Sequence, residues 1–218
     1  MTVLEAIESR RAAKAFDPNH MLPEAHLREI LRAGALAPTA FNIQHNRLLV
    51  VKNPEIRRKL RAVSWDQPQV TDASALIVVC ADVQAWRKNP ARYWRNAPEK
   101  VQDTLVDAIK AFYTDRDQAQ RDEALRSSGM AAMNLMLAAK SLGYDSCPMD
   151  GFDFEAVAKI IHLPDDHLIS MFVAIGRNTV PPKARSGFLE DHERFFEDGF
   201  PVSGGSQASI AICVSPSV

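Results

Sequence analysis

Two short basic stretches stand far apart in the chain. One is "SRRAAKAFD", with Arg10, Arg11 and Lys14; the other is "PPKARSGF", with Lys183 and Arg185 on alternate positions after a double proline. Guanidinium and ammonium groups gathered in this way hold oxyanions, and two arginines can grip a phosphate dianion through charge-assisted, often bidentate, hydrogen bonds. Two further stretches stand out. In "APTAFNIQHNRLLVV" a loop of small and amide residues, including Thr39, Asn42 and Gln44, leads into a strand. In "PMDGF", Pro148 to Phe152, the glycine Gly151 lets the backbone approach a planar group closely. Each stretch has a plain structural explanation as well: cations capping the dipole of a first helix, a strand-entry loop, a turn, and a solvated basic loop. Chance accounts poorly for all four in one chain and in this order.

The absences narrow the chemistry. There is no GxGxxG, no Walker A loop, no HExxH and no GxSxG. A nucleotide bound here must therefore have its phosphate held by basic side chains rather than by a glycine loop. The six histidines are scattered, and His162 and His167 are too loosely related to form a metal site. With 26 basic and 27 acidic residues the chain has no broad electrostatic footprint for nucleic acid, so any anion site must be local.

The elements that must position these residues follow from periodicity and caps. Composition is that of a globular protein, 46% hydrophobic and 24% charged over 218 residues, enough for one large or two small domains. Thr2 and Glu5 stand at capping-box spacing and Val3, Leu4 and Ile7 fall on one face, which predicts a helix over about residues 3–11 with that face packed. A second helix starts on Pro23, carries Leu27, Ile30 and Leu31, and stops before Pro38. "RLLVV" reads as a strand, and Asn53-Pro54 opens a helix with Ile56, Leu60 and Val63. "ALIVVCA", Ala75 to Ala81, is too short to span a bilayer and reads as a buried strand. A helical excursion from the core is expected over about 84–126, with Trp86, Tyr93, Trp94, Phe112 and Tyr113. "SSGMAAMNLMLAAKSLG" reads as a buried central helix ending on a glycine cap at Gly143, and "YDSCP" and "LISMFVAIG" as extended stretches. Alternating helices and strands in one core argue for a three-layer α/β arrangement. The tail, 201–218, combines the linker "PVSGGSQ" with "ASIAICV", which reads either as disorder or as a strand added to a partner's sheet. Cys80, Cys147 and Cys213 are an odd, widely spaced set without CxxC, and no signal peptide precedes the first helix; both point to a reducing, cytoplasmic setting.

From about Val3 to Arg185 the chain resembles the nitroreductase family. The resemblance rests on "RR..K.FD" at the start, the "P(S/T).(F/W)N.Q" loop, the block "AAM.LM.AAK..GYDSCP..GF" and the late "K.R". The third is the most specific, since it joins the central helix directly to the "PMDG" turn. The family implies an α+β fold, a three-layer α/β/α sandwich around a mainly antiparallel sheet, in an intertwined homodimer with residues 1–200 as one FMN-binding domain. It also implies FMN as cofactor and NADH or NADPH as donor. A ping-pong reaction then reduces nitroaromatic, quinone or similar small-molecule acceptors, with no nucleic acid or membrane partner. The cofactor carries that chemistry, so no side chain need act as a catalytic base.

Residue by residue, the resemblance places Arg10, Arg11, Lys183 and Arg185 on the FMN phosphate and Lys14 at the pyrimidine edge of the ring, tuning it electrostatically. Thr39, Asn42 and Gln44 would come from the partner subunit. Pro148, Met149, Asp150 and Gly151 form the turn, whose Asp150 and Gly151 amides point at flavin N5 and O4. Asp66 stands where the family usually presents an amide, with Gln67 and Gln69 nearby, and Ala12 stands where many members have a serine hydroxyl on the phosphate. Two other readings share these residues: a divergent family activity, dehalogenating or flavin-fragmenting, and a non-catalytic flavin- or nucleotide-binding sensor or store.

Overall fold

A strand buried at every position shows no polar and apolar alternation, and β2 (Ala75–Asp82) is such a strand. Its two faces are told apart only by what covers them. The computed structural model describes residues 1–200. It sets β2 between β1 (Asn46–Val51) and β4 (His167–Gly176), with β3 (Asp145–Met149) outside β4, in a four-stranded sheet of order β1-β2-β4-β3. All three pairings are antiparallel.

On one face Ala75, Ile77 and Val79 pack with Leu27 and Ile30 of α2 (Glu24–Ala35) and with Ala132, Leu135 and Met136 of α6 (Asp117–Ser141). On the other face Leu76, Val78 and Cys80 pack with Leu60 of α3 (Pro54–Ala62), Val70 of α4 (Gln69–Asp72) and Val157 of α7 (Phe154–Ile160). Odd and even positions of one strand thus serve two helical layers, which is the expected three-layer α+β sandwich. Burial pushes the Cys80 thiol up to about 12, so it behaves as a small core hydrophobe.

Most expected boundaries hold. α1 (Val3–Ser9) carries the Thr2–Glu5 capping box, and the Asn53 side chain accepts from the amides of Glu55 and Ile56. Gly143, at φ +85°, ends α6 in a Schellman turn, its N–H bonded to Lys140 and that of Tyr144 to Ala139. Three expectations change. α1 stops at Ser9, two residues early, because Arg10 turns extended. Its apolar positions Val3, Leu4 and Ile7 are exposed, and only Ala6 is buried. α6 begins at Asp117 rather than Ser127, absorbing the last ten residues assigned to the excursion.

The rest of the excursion consists of short 3-10 turns at Ala85–Arg87 and Pro90–Trp94, followed by α5 (Glu99–Tyr113). It has its own small core, in which Trp86, Ile109 and Tyr113 gather around Ile43. The chain divides into two compact units, the first Met1–Pro182, the second starting at Lys183. The second holds a 3-10 turn at Asp191–Glu193 and the Arg194 guanidinium over the rings of Phe188 and Phe195. The tail 201–218 and its expected strand lie outside the described residues. No helix among the described residues is long and apolar enough to cross a membrane.

Candidate functional site

The site residues of the first unit fall into two groups at the same end of the sheet but on opposite edges. The first group surrounds the turn after β3. Leaving α1, the chain runs beside β3, with Ala12 bridged to Ser146 and the Ala13 amide donating to the Ser146 carbonyl. This register carries Lys14 to Cys147, Nζ to Sγ 3.4 Å. Arg11 instead donates to the carbonyls of Glu8 and Arg10. Arg11 thus rests on the end of the helix in this structure, whereas Lys14 lies beyond it.

Beneath the turn, Phe152 is buried and stacked on Phe172 with ring centroids 4.1 Å apart. The Asp153 amide bonds to the Val63 carbonyl, and Gln67 Nε2 donates to the Gly151 carbonyl at 3.0 Å. The Asp150 and Gly151 amides donate to no acceptor among the described residues. The planar group that approaches Gly151 within the chain is the exposed indole of Trp65, only 2.5 Å from where a Cβ would stand. Trp65 and Asp66 are left-handed, φ 53° and 51°, and the Asp66 carboxylate is held by Arg61 at 2.7 Å. Gln69 is buried, and Pro148 and Met149 are the last residues of β3.

The second group is the loop before β1. Phe41, Asn42 and Gln44 are all left-handed, φ 51°, 56° and 54°. Strained backbone of this kind costs about 1–3 kcal/mol per residue and persists only where the surroundings over-determine it. Thr39 Oγ1 accepts from the Gln44 amide at 2.9 Å, and Asn42 Nδ2 donates to the Tyr93 carbonyl at 2.9 Å. Trp94 Nε1 donates to the Phe41 carbonyl at 3.1 Å, and the Ala40 amide donates to buried Glu123 at 3.3 Å. Behind the loop His45 is fully buried, and desolvation lowers its pKa, so the ring is held neutral. Desolvation also pushes the Tyr113 hydroxyl up to about 12. Loop and excursion together line a cavity of about 850 Å³.

The fold thus brings Lys14, Asp66 and the 148–151 turn together, and Thr39, Asn42 and Gln44 together, but keeps the two sets apart. β1 and β3 are separated by β2 and β4, three inter-strand spacings or roughly 14 Å. Arg10 and Arg11 are half-buried where the chain leaves α1, and exposed Ala12 follows. Lys183 and Arg185 open the second unit. Trp65 and Glu123 are absent from the residues expected from sequence. Trp65 could have been found as the aromatic next to Asp66, whereas Glu123 carries no local signal.

Comparison with known proteins follows the same lines. The nitroreductase family profile matches residues 7–177. Protein DrgA of Synechocystis is 53% identical over 188 residues, 85% of this chain and 90% of that protein. MhqN of Bacillus subtilis, named as a candidate NAD(P)H nitroreductase, is 33% identical over 88% of this chain and 96% of its own. The crystal structure of YdfN, a candidate nitroreductase from Bacillus subtilis, has a TM-score of 0.82 at 32% identity, covering 89% of this chain and 97% of that one. A candidate nitroreductase from Exiguobacterium sibiricum, solved in complex with FMN, has a TM-score of 0.78 at 28% identity, covering 86% and 94%. With its profile spanning both groups of site residues and the fold shared along most of the chain, this protein belongs to the nitroreductase family.

Proposed function

We propose that this chain is an FMN-dependent oxidoreductase that takes electrons from NADH or NADPH and delivers them to a nitroaromatic, quinone or similar small acceptor. The observation that carries the reading is the pair of amides at Asp150 and Gly151, which donate to no acceptor among the described residues and stand in the turn directly after β3, the strand that holds Cys147, the neighbour of Lys14. Asp150 is exposed and Gly151 half-buried, so neither amide is tied up within the described residues and both are free to donate to a bound acceptor in place of water. The nitrogen and carbonyl edge of a flavin offers such acceptors in a plane, and Trp65 against Gly151 shows that a flat ring can reach this backbone. The residues present therefore fit FMN.

Bound there, FMN supplies hydride chemistry between the nicotinamide donor and the acceptor. The chain's own residues bind and orient. The family resemblance assigns the phosphate to the cations Arg10, Arg11, Lys183 and Arg185, and Lys14 places a cation at the ring edge where negative charge gathers. The turn amides fix the ring by backbone shape, so the Asp150 side chain matters little. Asp66, paired with Arg61, brings no uncompensated charge to the ring.

A complete site then needs a second copy of the chain, in a homodimer. The two residue groups lie on opposite sheet edges, so Thr39, Asn42 and Gln44 meet the turn of a partner rather than their own. Exposed apolar surface is available for that contact: Val3, Leu4 and Ile7 on α1 and Met133 on α6. On the same helix Gly129 faces open space.

Anaerobic titration with NADH and NADPH tests the proposal. A yellow preparation whose flavin band bleaches supports the enzyme. A yellow preparation that stays yellow would make the chain a flavin binder without turnover, and a colourless one that takes up no added FMN would end the flavin reading.

A further inference from the structure

The cavity between the loop and the excursion has a one-sided chemistry. Its walls include three arginines, Arg47, Arg92 and Arg95, the carboxamides of Asn42, Gln44 and Asn96, and the rings of Tyr93 and Trp94, and no carboxylate. Arg47 is already engaged, by Asp82 at 3.2 Å and by the Gln44 carbonyl at 2.9 Å. Arg92 and Arg95 are exposed and have no carboxylate partner among the described residues. Arg92 lies over the Tyr93 ring at 4.8 Å and donates to its hydroxyl at 2.8 Å, which holds the guanidinium at the rim. The Tyr93 hydroxyl is fixed in turn by the Ala85 carbonyl at 3.0 Å.

We infer that this cavity takes the phosphate-bearing adenosine half of the dinucleotide donor, with Arg92 and Arg95 on the phosphates. Four features support that occupant. The volume of about 850 Å³ lies at the large end of small-molecule sites and exceeds what a single nitroarene ring fills. Planar guanidiniums match phosphate oxygens bidentately, carboxamides serve a ribose or a base edge, and the aromatic rings offer a stacking surface for adenine. The cavity also shares Thr39, Asn42 and Gln44 with the site that the proposed function assigns to the flavin, so a dinucleotide lodged here can reach the ring. This inference rests on that reading for the identity of the ligand, though not for the anion site itself.

Calorimetric titration of the oxidised holoprotein with 2′,5′-ADP and with 5′-ADP tests it, on wild type and on Arg92→Gln and Arg95→Gln. Both probes are expected to bind wild type, and each variant should bind at least one of them about tenfold more weakly, with flavin content unchanged. A weaker grip on 2′,5′-ADP alone assigns the guanidiniums to a 2′-phosphate, and equal loss assigns them to the 5′ diphosphate. Wild-type affinity in both variants overturns the inference, as does a flavin-loaded protein that binds neither probe. Variants that dissociate into monomers at concentrations where wild type stays assembled would also overturn it, since the arginines would then be pairing with the partner subunit. A protein that binds 2′,5′-ADP but takes up no FMN would sink the flavin reading and leave the anion cavity standing.

Discussion

The turn after β3 and the loop before β1 each present a fixed polar surface, by different means. Backbone and core hold the turn: the β3–β4 ladder enters it, Phe152 anchors it on Phe172, and the Asp153 amide ties it to Val63. The loop has little core of its own beyond Ile43, and its left-handed residues are held by side-chain hydrogen bonds from Thr39, Asn42, Trp94 and Glu123. A site held by backbone tolerates changes of exposed side chains, and one held by side-chain bonds does not. Loss of a core anchor should therefore damage the turn globally, whereas loss of one polar group should damage the loop locally.

The sharpest break is expected at the anchor. Phe152→Ala removes a buried ring stacked at 4.1 Å and should cost about 3–5 kcal/mol of stability in urea unfolding. A loss below about 1 kcal/mol would mean that the turn does not rest on the core. Next comes the proposed phosphate grip. Arg10→Ala or Arg185→Ala should remove about 1.5–3 kcal/mol of FMN binding, roughly 10- to 150-fold, in titrations of the apoprotein. Unchanged affinity in either variant refutes its place on the phosphate.

On the loop side, Thr39→Val keeps the shape but deletes the acceptor of the Gln44 amide, at a cost of about 1 kcal/mol. Hydrogen exchange of the 39–44 amides should rise while that of β2 stays put, and a uniform rise would erase the contrast between regions. Lys14→Ala should lower the flavin midpoint potential by roughly 20 mV, about 1 kcal/mol for a two-electron couple, with a smaller effect on oxidised FMN binding. An unmoved potential removes its tuning role. The smallest effect is one of pH. His45 is buried and its pKa lowered, so below the unfolded value of about 6.5 the unfolded chain binds more protons. Its contribution is complete above that pH and is lost as pH falls toward the folded pKa. The thermal midpoint should drop with acidification, less steeply in His45→Asn, and parallel curves would exclude His45 as the cause.

Local chemistry alone determined a good deal of this protein. The Thr2–Glu5 and Asn53 caps, the Gly143 stop and the buried β2 strand depend on neighbours a few residues away, and those neighbours are visible in the sequence, as are the candidate site stretches around Lys14, Thr39 and Gly151. The start of α6 was not visible, because "DQAQRDEALR" is polar and lacks a capping side chain; it becomes helix as Gln120 bonds to Tyr113 and Glu123 to the loop. The exposure of Val3, Leu4 and Ile7 was hidden for a similar reason: periodicity shows that a helix has an apolar face but not what covers it. Only the tertiary structure decided that the turn and the loop stand on opposite edges of one sheet, that Trp65 lies on Gly151, and that two arginines of the excursion rim a cavity without a carboxylate. Strand order and side-chain convergence arise from contacts between residues distant in the chain, and short-range pattern carries no record of them.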